Sequence, residues 1–180
     1  MLKKTKAQQN LIIKIPNTLT ISRLLLVFPL IIFLEINKPF PIFILIIIGG
    51  LTDYFDGYFA RRLNLKTRLG AILDPLSDKI FLLIILLSLC KNNLIPFWSV
   101  SLITFRELII STLRNTTADG LPASKLGKYK TFSFFISIIF FFFPLEMDLF
   151  NDFGLFFYWL AFFLTFITFI EYLRIKKNSI

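Results

Sequence analysis

Histidine is absent from all 180 residues of the chain, and cysteine occurs once, at Cys90. The first absence excludes serine–histidine–aspartate triads, zinc–histidine sites and phosphohistidine intermediates. The second excludes an internal disulfide and any site built from several thiolates; Cys90 closes an apolar run, where a lone cysteine reads as inert packing. Acids are scarce too, 11 Asp and Glu against 20 Lys and Arg, for a net charge of +9. Any catalysis is left to carboxylates, lysines, hydroxyls and metals bound through oxygen.

Apolar residues are abundant. They make up 56% of the chain, with 24 Phe, and the mean hydropathy is +0.76. This is membrane-protein usage rather than soluble usage. The positive charge falls in short blocks between apolar runs instead of along one basic face, which argues against nucleic acid as a partner and for loops on the cytoplasmic side of a bilayer.

A bilayer core takes roughly 20 apolar residues per helix. On that basis the sequence predicts six spans, Thr18–Ile36, Pro41–Ala60, Pro75–Cys90, Leu94–Thr112, Thr131–Leu145 and Phe153–Leu173. The third and fifth are short, so their polar ends are expected to continue as helix beyond the hydrocarbon. With a cytoplasmic N-terminus, 15 of the 20 cations fall on that side and only Lys38 and Lys91 on the other. Arg23, Lys79 and Arg106 lie inside spans or at their edges. The positive-inside rule therefore puts both termini in the cytoplasm. Residues 1–16 form a basic N-terminal segment, in which "AQQNLIIKI" reads as a short interfacial helix. The exit of the first span, "FLEINKPFPIF", has no small-residue cleavage site, so that span is expected to be retained. With no internal repeat and no linker, residues 1–180 read as a single domain. The expected fold is an all-α polytopic membrane protein with six transmembrane helices and a cytoplasm-facing active site.

One stretch departs from the apolar background. "TDYFDGYFARRLNLKTRLGAILDPLSDK", Thr52–Lys79, gathers Asp53, Asp56, Asp74 and Asp78 beside several arginines and lysines. Asp53 and Asp56 are three apart and Asp74 and Asp78 four apart, so each pair shares one face of its helix. Two antiparallel helices joined by a basic loop bring the four acids together at the inner membrane surface. Carboxylates crowded at low dielectric repel strongly unless something positive lies between them. Oxygen-only ligands point to the hard cations Mg²⁺ or Mn²⁺, and a carboxylate-bridged pair of such metals is a recurring device for displacement at phosphorus. Gly57, Gly70 and Ala60 keep space for a ligand or a neighbouring helix, and Arg61 offers a planar fork for a phosphate or base. Single acids such as Glu35, Asp119, Asp148 and Glu171 read as solvated helix ends.

The run from Asp53 to Asp78 resembles the signature of the CDP-alcohol phosphatidyltransferases, D-x-x-D-G-x-x-A-R-x8-G-x3-D-x3-D. Asp53, Asp56, Gly57, Ala60, Arg61, Gly70, Asp74 and Asp78 match every fixed position. The resemblance implies transfer of a phosphatidyl or related group from a CDP-linked lipid to an alcohol with release of CMP. It further implies two divalent cations, Mg²⁺ or Mn²⁺, held by Asp53, Asp56, Asp74 and Asp78, with Asp78 also the general base on the acceptor hydroxyl. Asp56, Gly57, Ala60, Arg61, Thr67 and Gly70 would line the CDP pocket. Family members of this kind are homodimers in the bacterial plasma membrane.

The segments "IPNTLTISRLLLVFPL", "DPLSDKIFLL", "FRELIISTLR" and "ASKLGKYKT" are similar to those family members that use CDP-diacylglycerol as donor and sn-glycerol 3-phosphate as acceptor. Such an acceptor brings a second phosphate, for which Arg106, Arg114, Ser124, Lys125 and Lys128 stand in and after the fourth span. Arg106 lies below the surface, where a guanidinium is costly without purpose and where Glu107 is the adjacent acid. Inositol phosphate, serine or phosphatidylglycerol as acceptor is the nearest alternative, and these cations argue against serine. A divalent-cation transporter is the alternative from another class, but it needs acids or carbonyls continuing across the membrane, and the outer halves of the spans show none facing the cluster.

Overall fold

The computed structural model describes residues 6–63, 68–115, 125–145 and 147–177, with side chains described for 21–55, 76–112, 126–145 and 147–174. Six helices run through these residues: α1 (Lys6–Glu35), α2 (Pro39–Leu63), α3 (Arg68–Lys91), α4 (Phe97–Asn115), α5 (Lys125–Phe141) and α6 (Asp148–Lys177). No strand occurs among the described residues, so the fold is all-α. Helices α3 and α5 begin well before the apolar stretches predicted for them, at Arg68 and Lys125. The backbone of Gly70 and Asp74 is therefore helical. The segment expected as a separate interfacial helix is instead continuous with α1, which runs unbroken through Pro16 and Asn17.

Among the described residues, Asp148–Arg174 of α6 is the one helix long and apolar enough to cross a membrane; Pro39–Phe55 is apolar but shorter. Asp53 and Asp56 on α2, and Arg106 and Glu107 on α4, interrupt the apolar character of those helices.

Two helix ends show how local sequence stops a helix. Asn37 after α1 and Asn93 after α3 have φ of 50° and 58°, a left-handed conformation that asparagine tolerates better than most side chains. The Lys38 amide donates to Phe33 O at 3.1 Å and the Asn37 amide to Leu34 O at 3.3 Å; Leu94 and Asn93 donate in the same way to Leu89 O and Cys90 O, each at 3.0 Å. These paired bonds satisfy the last carbonyls of both helices in the Schellman arrangement.

The chain divides into two compact units, Met1–Ile84 and Ile85–Ile180. In the first, α1 packs on α2. Its buried stripe, Arg23, Val27, Leu30 and Leu34, follows helical spacing, and Ile42 and Ile46 are the buried large apolar side chains among the described residues of α2. Gly49 of α2 meets Phe81 of α3 so closely that a Cβ there would lie 2.8 Å from the ring tip.

In the second unit, α6 packs on both α5 and α4. Small residues carry the contacts: Gly154 lies under the Phe141 ring, and Ala161, Thr165 and Thr168 are buried along the same helix. Small side chains let helices approach closely, the usual device where lipid offers no hydrophobic drive to pair them. Ser137 donates to Gly154 O at 2.8 Å, and Ser99 and Tyr158 share a buried hydrogen bond of 2.5 Å. Aromatic edges and faces fill the rest, with Phe140 stacked on Phe157 and Trp98 edge-on to Phe162.

Candidate active site

Helix α2 carries Asp53 four residues after Gly49, and α3 carries Asp78 three residues before Phe81. The glycine–ring contact thus lies about one helical turn from both acids. Both carboxylates meet one guanidinium. Arg23 Nη1, on α1, forms an ion pair with Asp53 Oδ1 at 3.2 Å and another with Asp78 Oδ1. It also lies 3.4 Å from Ser77 Oγ. The Arg23 side chain is 2% exposed, whereas those of Asp53 and Asp78 are 53% and 48% exposed. The cation is therefore fixed inside the helix packing while both acids turn a face outward.

The oxygen donors of this pair suit a divalent cation, while among the described residues no group of three or more His, Cys, Asp or Glu gathers to hold one. Two half-exposed carboxylates from separate helices converge on one point of positive charge, and the donor set is oxygen alone, as Mg²⁺ and Mn²⁺ prefer. Asp56 and Asp74 share helical faces with Asp53 and Asp78 by their spacing. Their side chains, those of Ala60 and Arg61, and the surroundings of Gly57 and Gly70 lie outside the described residues, although α2 and α3 carry the backbone of all six. Thr67 lies outside the described residues altogether.

A separate polar network is buried in the second unit. Arg106 on α4 is 4% exposed; its Nη1 donates to Glu107 Oε1 at 2.7 Å and its Nη2 to Thr168 Oγ1 of α6 at 2.7 Å. The guanidinium also lies over the Tyr172 ring, 5.9 Å from its centroid. Lys130 of α5 donates to the same Glu107 oxygen at 2.6 Å. Three helices are thus tied through one carboxylate and one guanidinium. Of the other residues considered for an acceptor phosphate, Lys128 is exposed on α5. The side chains of Arg114 and Lys125 lie outside the described residues, and so does the whole of Ser124.

Sequence reasoning gave no role to Arg23, Thr168 or Lys130 in these networks. For Arg23 there was a signal: a single arginine in "TISRLLLV" is costly to bury, so it demands an acidic partner. Nothing in the local sequence names that partner.

The family model described as CDP-alcohol phosphatidyltransferase matches residues 13–167. The chain belongs to the CDP-alcohol phosphatidyltransferase family. The match takes in Arg23, the whole Asp53–Asp78 motif and the Arg106–Glu107–Lys130 network. Curated relatives agree in name. A protein of Rickettsia bellii, 34% identical over 176 residues that span 91% of this chain and 96% of its own, is called CDP-diacylglycerol--glycerol-3-phosphate 3-phosphatidyltransferase. Proteins of Escherichia coli K12, 36% identical over 129 residues (65% of this chain, 70% of its own), and Bacillus subtilis, 42% identical over 98 residues (53% and 51%), carry the same name. The B. subtilis alignment thus spans about half the length of each chain.

Proposed function

We propose that this phosphatidyltransferase moves the phosphatidyl group of CDP-diacylglycerol onto sn-glycerol 3-phosphate, giving phosphatidylglycerophosphate and CMP. The observation that carries the reading is the complete eight-position motif in a chain whose full-length relatives are named for that reaction. In this reading Asp53, Asp56, Asp74 and Asp78 hold two divalent cations, Mg²⁺ or Mn²⁺. Bound there, the cations supply charge neutralisation at the phosphate oxygens and the leaving group.

The chain's own groups do the rest. Asp78 accepts the proton of the acceptor hydroxyl as its oxygen bonds to the diacylglycerol-linked phosphorus. The bond from that phosphorus to the CMP oxygen breaks, and CMP departs with the electron pair. Gly57, Ala60 and Gly70 leave room for the cytidine diphosphate, Asp56 and Thr67 border it, and Arg61 pairs with phosphate or base. Arg106, Arg114, Ser124, Lys125 and Lys128 supply the positive charge and hydrogen bonds for the second phosphate of the acceptor. The placement of lysine and arginine supports six membrane crossings with both termini and the active site cytoplasmic, in a bacterial plasma membrane. A family match that crosses from the first compact unit into the second supports one functional domain, 1–180. The working form is a homodimer, a reading that rests on the family resemblance.

The test is CMP release by the purified protein with CDP-diacylglycerol and Mg²⁺, comparing glycerol 3-phosphate with inositol phosphate, serine and phosphatidylglycerol, alongside Asp78→Asn. Turnover with glycerol 3-phosphate alone, lost in the variant and on chelation, is the expected result. Turnover with another acceptor would keep the family and overturn the acceptor.

A further inference from the structure

Arg23 belongs to none of the eight motif positions, yet it touches two of the motif's four acids. We propose that Arg23 is a positioning residue for the cation-binding carboxylates. Its guanidinium holds the Oδ1 atoms of Asp53 and Asp78 from the protein side, so that their solvent-facing sides present oxygen to a divalent cation. The inference rests on the reading of these acids as metal ligands given above.

Three observations carry it. First, Arg23 is buried at the head of the stripe that packs α1 on α2, so its position is set by helix packing rather than by a mobile loop. Second, one nitrogen serves acids from two different helices, which ties the spacing of α2 to α3 at the level of the site. Third, the exposures are opposite: the cation is enclosed and both acids are half open. A metal-ligating carboxylate is commonly oriented by a hydrogen-bond donor on its far side, and losing that donor weakens metal binding by about 10- to 100-fold.

The rival role is that of a stand-in cation that leaves when metal arrives. Leaving would require a guanidinium with almost no path to water to abandon both carboxylates and stay buried, which is strongly unfavourable. The two roles predict opposite signs. A positioning arginine strengthens cation binding; a competing one weakens it.

The experiment is a titration of the full-length, detergent-solubilised protein with Mn²⁺, following the free-ion signal by electron paramagnetic resonance at a temperature where every variant is folded, with thermal unfolding recorded with and without Mn²⁺. Wild type should bind Mn²⁺, Arg23→Gln should bind it about 10- to 100-fold more weakly, and Arg23→Lys, shorter and without the fork, should fall between. The Mn²⁺-induced rise in Tm should shrink in the same order, a change that a purely structural role would not produce. Should Arg23→Gln fail to fold, Arg23→Lys decides: binding several-fold weaker than wild type supports the proposal. Binding as tight as wild type or tighter, in whichever variant decides, overturns the proposal and leaves the metal-site reading standing. No Mn²⁺ binding by wild type overturns both.

Discussion

Lys130 of α5 donates to Glu107 of α4 at 2.6 Å, and each side chain is 13% exposed. The same carboxylate oxygen also takes the Arg106 guanidinium, at 2.7 Å. One largely enclosed acid thus serves a buried cation on its own helix and a largely enclosed one on the next. Removing one member of a buried ion pair costs about 3–5 kcal/mol, because charge is left in the interior without its counter-charge. Glu107→Ala should therefore lower the Tm of the detergent-solubilised protein sharply, at the upper end of that range. Glu107→Leu combined with Lys130→Met should lose less than Glu107→Ala alone, since it removes one of the stranded cations. A loss no larger than that of an ordinary exposed-site substitution would show that the network adds nothing to the fold.

Gly49 and Phe81 set how closely α2 approaches α3. A Cβ at Gly49 would lie 2.8 Å from Phe81 Cζ and 3.2 Å from both flanking ring carbons. Two effects oppose each other in Gly49→Ala: the helix gains roughly 0.5–1 kcal/mol from the loss of glycine's backbone freedom, and overpacking costs about 1–3 kcal/mol. Overpacking wins, by about 1 kcal/mol, and Gly49→Val should be plainly worse. Because the contact lies one turn from Asp53 and from Asp78, the helix shift that relieves it also separates the acids. CMP release should fall further than stability does. Variants with normal turnover and normal Tm would mean that the ring yields without moving either helix.

The Asp53–Asp78 stretch was legible because its information is local. Helical periodicity alone pairs Asp53 with Asp56 and Asp74 with Asp78, and the absence of histidine and useful cysteine leaves only oxygen chemistry. The helical continuation of α3 and α5 into polar sequence was legible for a similar reason: the apolar stretches were too short for the helices that hold them. Arg23 is different. Its partners lie 30 and 55 positions away on other helices, and the register that brings them together comes from α1 packing on α2, which no spacing rule supplies. The Glu107–Lys130 pair, 23 residues apart across a helix connection, is hidden for the same reason; Arg106 with its neighbour Glu107 was not.

Lys128 and Arg106, both considered for the acceptor phosphate, differ in a way that allows their contributions to be separated. Arg106 is enclosed and already bonded to Glu107 and Thr168, so changing it disturbs fold and site together. Lys128 is exposed on the first turn of α5, where a substitution changes stability by no more than about 0.5 kcal/mol. A hydrogen bond between charged groups contributes roughly 1.5–3 kcal/mol, and about 1.4 kcal/mol is tenfold in affinity. Lys128→Gln should therefore raise the KM for glycerol 3-phosphate about tenfold, leave the KM for CDP-diacylglycerol and the Tm unchanged, and make the remaining acceptor affinity less sensitive to salt. Arg106→Gln should lower Tm as well as turnover. Steady-state kinetics against each substrate, with thermal unfolding in parallel, separates the two. An unchanged acceptor KM in Lys128→Gln would remove that lysine from the phosphate site and shift the demand for positive charge onto Lys125 and Arg114.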